Sequence, residues 1–288
     1  MNKLKVLFLP MFVVFGICGY AQVESSDFTS EDSFTSGIEG PATDKEGNVY
    51  AVNFERQGTI GKITPDGHAS LFVVLPEGSI GNGIRFGVND EMFVADYTHH
   101  NILKIDLRTK EIEVFAHEAQ ANQPNDLTIA SSKTIYASDP NWSDNSGNLW
   151  KVTADGGFEL LEENMGTTNG IEVSRDGKKL YVNESVQRKI WVYDINNDGS
   201  ISNKQELISF EDFGLDGMRF DDQGNLFVCR YGKGTVAVIT QNGDLIKEIQ
   251  LRGSNPTNIT FSLDYKTCYV TVADRGCIEK IDLNHIKK

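Results

Sequence analysis

Apolar runs of strand length recur along the chain, each broken by a polar turn that often carries Asp or Gly. Six segments, beginning at Glu39, Asn82, Asn125, Asn169, Asp216 and Asn258, share one design: a short apolar strand, a turn, and a second strand with an aromatic near its start. Those aromatics are Tyr50, Phe93, Tyr136, Tyr181, Phe227 and Tyr269, at intervals of 43, 43, 45, 46 and 42 residues. Two further strand-like runs follow, as at 102–107 and 111–115, or 189–195 and 205–210. Four strands in about 40–45 residues make one propeller blade. The pattern therefore predicts an all-β, six-bladed β-propeller with four antiparallel strands per blade. The sixth unit has a third strand over 277–283 and no room for a fourth, so residues 27–35 are expected to supply it, closing the last blade with the N-terminal strand and covering an otherwise bare sheet edge.

Residues 1–21 read as a secretory signal peptide: Lys3 and Lys5, an apolar run over 6–17, then Gly19 and Ala21 at a cleavage position. The run is shorter than the ~20 residues that span a bilayer. Lipid attachment at Cys18 is the lesser alternative, because the bulky Ile17 precedes it. Export, periplasmic or secreted, would leave one propeller domain over 22–288. Removing Lys3 and Lys5 leaves 25 basic against 41 acidic residues, a net charge of −16. Such a chain gains nothing on nucleic acid and is repelled by anionic membranes, so its partners should be neutral molecules or cations; a small-molecule substrate and a monomer are expected. Cys229, Cys268 and Cys277 remain, an odd number that allows at most one disulfide; Cys268 with Cys277 is the pair to examine.

Counting back eleven residues from five of the aromatics, and twelve from Tyr181, reaches Glu39, Asn82, Asn125, Asn169, Asp216 and Asn258. Inner strands line a propeller's tunnel, so sixfold geometry turns these positions into a ring at one mouth. Two carboxylates and four amides packed without a cation would suffer repulsion and desolvation. Oxygen-only donors suit one divalent cation, calcium before Mg2+, Mn2+ or Zn2+; the bland alternative is a polar plug bridged by water. Loops returning to the same mouth carry Glu55, Tyr97, His99, His100, Asp139, Asn141, Trp142, Arg230 and Tyr231, with Tyr97 and Asp139 nearest the strand ends. The stretch from Asp194 to Gly199 begins like a calcium-binding loop but has Gln205 at its twelfth position, and is read as a hairpin turn. No Gly-x-Ser-x-Gly elbow is present, which argues against serine-type acyl transfer.

With these residues in view, the chain resembles the gluconolactonase, senescence-marker-protein and luciferin-regenerating-enzyme family, and more distantly the calcium lactonases and diisopropylfluorophosphatase. The resemblance rests on Glu39-Gly40-Pro41, Gln123 to Leu127, Asn169-Gly170-Ile171 with the turn 174–181, and Leu215 to Met218 with 222–226. It implies that Glu39, Asn125, Asn169 and Asp216 ligate the cation, that Asp216 also serves as acid or base, and that Asn82 and Asn258 stand behind them. The implied activity is hydrolysis of a lactone or related small ester. Hydrolysis at phosphorus on the same site, or ligand binding without catalysis, are the competing expectations. Gln123 stands where animal members resemble one another in carrying arginine, so a sugar lactone held in the same way is not implied.

Overall fold

The computed structural model describes residues 24–89, 91–130 and 133–284; the signal segment and Cys18 lie outside the described residues. Six four-stranded antiparallel sheets are present, and in five of them the strands run in chain order from the innermost outward. The inner strands are Phe34–Thr43, Gly81–Phe86, Leu127–Ile129, Thr168–Val173, Met218–Phe220 and Pro256–Phe261, which number the blades one to six. The stretch after Asp194 is a turn between Lys189–Ile195 and Ile201–Ser209, as the sequence predicts.

Burial explains the assembly. The described apolar residues gather into six clusters, each drawing on two neighbouring blades. The core is therefore a ring of inter-blade seams. The repeating aromatics fill the seams edge to face: Tyr50 meets Phe86 of the next blade at 5.4 Å, Tyr181 meets Phe220 at 5.0 Å, and Phe227 meets Phe261 at 5.1 Å. Such pairs add about 0.5–1.5 kcal/mol beyond the area they bury.

The last sheet is closed from the N-terminus, but by a shorter piece than expected. Ser26 and Asp27 pair with Lys280 and Glu279, and the Phe28 and Thr29 amides donate to the Ile278 carbonyl. Phe34 and Thr35 belong instead to the inner strand of blade one. Phe28 packs on Tyr269 at 4.5 Å, and Arg275 bridges Asp27, Glu31 and Glu279 across the seam. Cys229, Cys268 and Cys277 are all buried and unpaired, so neither Cys268 nor Cys277 is in a disulfide. Phe28→Ala should cost about 3 kcal/mol and lower the melting temperature by roughly 6–12 °C; an unchanged calorimetric transition would show that the closing strand holds nothing together.

Candidate metal centre

Backbone irregularity aims the ring residues at the axis. Pairing of the first two strands slips between Glu39 and Ala42, Gly81 and Ile84, Thr168 and Ile171, and Pro256 and Ile259. An extra residue at such a bulge can leave the in-out alternation and turn its side chain inward. In blades three and five the regular strand begins only at Leu127 and Met218. Asn125 and Asp216 sit just ahead, tethered as their amides donate to the Ser138 and Cys229 carbonyls at 2.8 and 3.0 Å. Two glycines allow the close packing. A Cβ on Gly217 would lie 2.0 Å from Asn258 Cγ, and one on Gly40, whose φ is +57°, would lie 2.0 Å from the Asn82 carbonyl oxygen.

Glu39, Asn82, Asn125, Asn169 and Asp216 line one cavity of about 360 Å3. The Glu39 and Asp216 carboxyls lie side by side and perturb each other, and the Asn169 side chain acts on Asp216. Burial, reinforced by the charge of Asp126, pushes the Glu39 carboxyl up to about 7. Burial, and then Glu39 itself, holds Asp216 well above the usual carboxylate range. Asn258 stands behind the pair: its Nδ2 donates to Glu39 Oε2 at 3.0 Å and to Asp126 Oδ2 at 3.3 Å. Asn82 turns its Nδ2 to the Asn125 carbonyl.

Two oxygens in this ring are left over. Asn125 Oδ1 and Asn169 Oδ1 are buried and accept no hydrogen bond. A buried amide oxygen without a donor is costly, and here two of them converge with two carboxylates from four different blades. That set offers only hard oxygen donors and two formal negative charges, so the residues present fit a divalent cation of the calcium type.

A second charged layer lies directly below. Arg85 pairs with Asp126 at 3.0 Å and Glu172 at 3.4 Å, while Arg219 meets Glu172 at 3.3 Å and the Pro41 carbonyl at 3.3 Å. These bonds, with Asn258 reaching Asp126, join blades on opposite sides of the axis and close the tunnel. The layer balances its own charge with two arginines and two carboxylates. Sequence reading missed it, although Arg85, Glu172 and Arg219 each stand three residues after a ring position.

The loop residues divide. Tyr97, Trp142 and Tyr231 line the cavity, joined by Asn53, Gln57, Ser185 and Thr257, which were not anticipated. The other loop positions do not line it. His99 bonds Ser79 beside Asp96. Asp139 is fully buried and accepts from the Asn122 and Gln123 amides and Trp150 Nε1, bracing the turn that leads to Asn125. Arg230 is buried over the Phe210 ring and paired with Asp212 and Glu248. Glu55 and His100 occupy left-handed turn positions, and Asn141 caps its own loop. Gln123 does not line the cavity either. Asp27, Cys277 and Glu279 also come together, but Arg275 already neutralises that corner.

A six-bladed propeller with an oxygen-donor ring at one closed-ended mouth defines the class. The chain belongs to the SMP-30/gluconolactonase/LRE-like family, whose model matches residues 37–274. It is 28% identical over 271 residues to a gluconolactonase of Zymomonas mobilis, covering 82% of this chain and 76% of that protein. It is 26% identical over 287 residues to the diisopropyl-fluorophosphatase of Loligo vulgaris, covering 88% and 91%. Among solved structures, a calcium-binding regucalcin of Agrobacterium tumefaciens superposes with a TM-score of 0.78 at 17% identity, covering 90% and 94%, a likeness of fold.

Calcium at a hundred times its Kd should stabilise the protein by about 2.7 kcal/mol, raising the melting temperature by roughly 5–10 °C. Asn169→Ala should shrink that shift and Glu39→Gln should remove most of it. A wild-type transition indifferent to calcium, magnesium and manganese would mean a polar plug.

Proposed function

We propose that the protein is an exported, calcium-dependent hydrolase of a lactone or related small ester, with Glu39, Asn125, Asn169 and Asp216 holding the ion. The observation that carries this reading is an imbalance of countercharge. Asp126 and Glu172 have arginines within 3.4 Å, whereas Glu39 and Asp216, equally enclosed, face each other and two donorless amide oxygens. Family membership and the gluconolactonase relative support the choice of chemistry.

When bound, the cation supplies a Lewis acid that polarises a carbonyl oxygen and offsets the negative charge growing on it. The chain's own residues do the rest. Asp216 Oδ1 accepts the Gly217 amide at 3.0 Å, which fixes the carboxyl; in its ionised form this carboxylate takes a proton from the attacking water and returns it to the departing alkoxide oxygen. Positioned general bases of this kind contribute about 10²–10⁴ in rate. Asn258 holds Glu39 in the ring orientation. Tyr97, Trp142 and Tyr231 shield the reacting centre from bulk water at the open end, and the ion-paired layer seals the other.

A second reading, displacement at phosphorus, is favoured by the squid relative, which aligns over most of both chains. Parallel panels of lactones and fluorophosphates, with and without calcium, separate the two; silence in both panels would leave a binding propeller. At saturating calcium, Asp216→Asn should lose at least about a hundredfold in kcat/KM with its thermal transition retained, and full activity in that variant would remove Asp216 from the chemistry.

A further inference from the structure

The mouth of the cavity is chemically lopsided. Among the described residues, the large apolar side chains that stand exposed fall into three groups. Leu71, Val74, Val114, Leu160, Leu245 and Ile246 lie on outermost strands, and Val88 and Leu263 on turns at the far face. The remaining four, Trp142, Val186, Phe213 and Tyr231, all belong to loops of the metal face, and all come from blades three to five. Blades one and two present the exposed Arg56, Gln57 and His99 there, with the half-buried Tyr97 as their one aromatic in the cavity lining.

These four loops form one wall. Gln187 Nε2 donates to the Asn145 carbonyl at 2.9 Å, the Leu215 amide to the Ser185 carbonyl at 3.4 Å, and the Gly214 amide to the Tyr231 carbonyl at 3.1 Å. Phe213 lies against Gly232, where a Cβ would meet its ring at 3.3 Å. Its φ of +47° is one that bulky residues seldom adopt, so the backbone accepts strain to present an aromatic here. The wall joins the cavity at Trp142 and Tyr231, which line it together with Ser185, while Val186 and Phe213 extend it outward from the rim. No lysine or arginine lines the cavity, and the Ser185 hydroxyl is already engaged by the Leu215 carbonyl.

We propose that Trp142, Val186, Phe213 and Tyr231 form a subsite for the hydrophobic arm of the substrate, so that the preferred molecule is an uncharged lactone or ester with an alkyl or aryl substituent rather than a polyol or an anion. The identity of the substrate as an ester rests on the function proposed above; the subsite rests on the wall alone. An apolar arm laid on this crescent leaves the carbonyl over the ring, while a hydroxylated arm set against the same four side chains would give up hydrogen bonds to water without recovering them there. A phosphate or carboxylate would find no side-chain cation in the cavity.

The test separates the two inferences. Calcium-loaded full-length protein is titrated calorimetrically with hydrolysis-resistant γ-lactams of increasing alkyl length, and turnover of the matching lactones, gluconolactone and a phosphorylated sugar lactone is followed in parallel. Affinity should rise about two- to fourfold per methylene, and Trp142→Ala combined with Phe213→Ser should flatten that slope while keeping the calcium-induced thermal shift. Lactam binding with the expected slope but no lactone turnover supports the subsite and removes the hydrolase. Lactone turnover with no dependence on chain length, or with gluconolactone or its phosphorylated analogue preferred, overturns the subsite and leaves the hydrolase standing. Absence of both binding and turnover overturns both. Sedimentation with phosphatidylcholine vesicles that the double variant abolishes would assign the wall to a lipid surface and likewise overturn the subsite.

Discussion

Two buried carboxylates set side by side cannot both stay ionised without a countercharge nearby, and Glu39 with Asp216 sets that condition at the centre of this molecule. The lower layer answers the condition in part with protein groups, placing Arg85 and Arg219 against Asp126 and Glu172, although burial still holds both carboxyls above their usual range. At the upper layer it supplies amide oxygens instead. Glycines at 40 and 217 let neighbouring blades crowd the ring until its side chains converge. Apolar seams between blades hold the six inner strands at fixed angles, so the convergence follows from packing that is distributed around the whole propeller.

The blade count and the ring could be read from the chain because repetition converts a sequence offset into a spatial position. A residue eleven places before an aromatic in one blade must occupy the equivalent point in the next, give or take a bulge. Loop residues lack that constraint. Asp139 and Arg230 have the chemistry of ligand-binding groups, yet one braces a turn and the other is buried among ion pairs. Nothing in a linear sequence separates a polar side chain that supports a loop from one that faces a cavity. The lower charged layer is the opposite case: Arg85, Glu172 and Arg219 share one offset from the ring, but an isolated Arg or Glu in an apolar strand reads as a surface charge until its counterparts are seen across the axis. The closing strand is shorter than anticipated because pairing ends at Asp27 and residues 28–33 turn the chain toward blade one, with Asp32 at a φ of +57°, while Phe34 and Thr35 join its inner strand.

Propellers of one architecture carry many activities, and the matches to a gluconolactonase and to a fluorophosphatase illustrate the range within one family. What the architecture contributes is a rigid tunnel with interchangeable loops around it. Here the loops have specialised unevenly, with polar groups over blades one and two and an apolar wall over blades three to five. Reaction type would then be governed by the ring and substrate choice by the rim, two sets of residues that share strands but not positions.

The ion-paired floor has a further consequence, because it makes the central passage a cul-de-sac. A molecule cannot be threaded through it, so under the proposed function a product would have to back out by the way its substrate came before a successor could enter. A long polymer could present only a terminus or a pendant ring, never an internal bond. Traffic through that single doorway, as much as bond cleavage, would set the pace of each cycle.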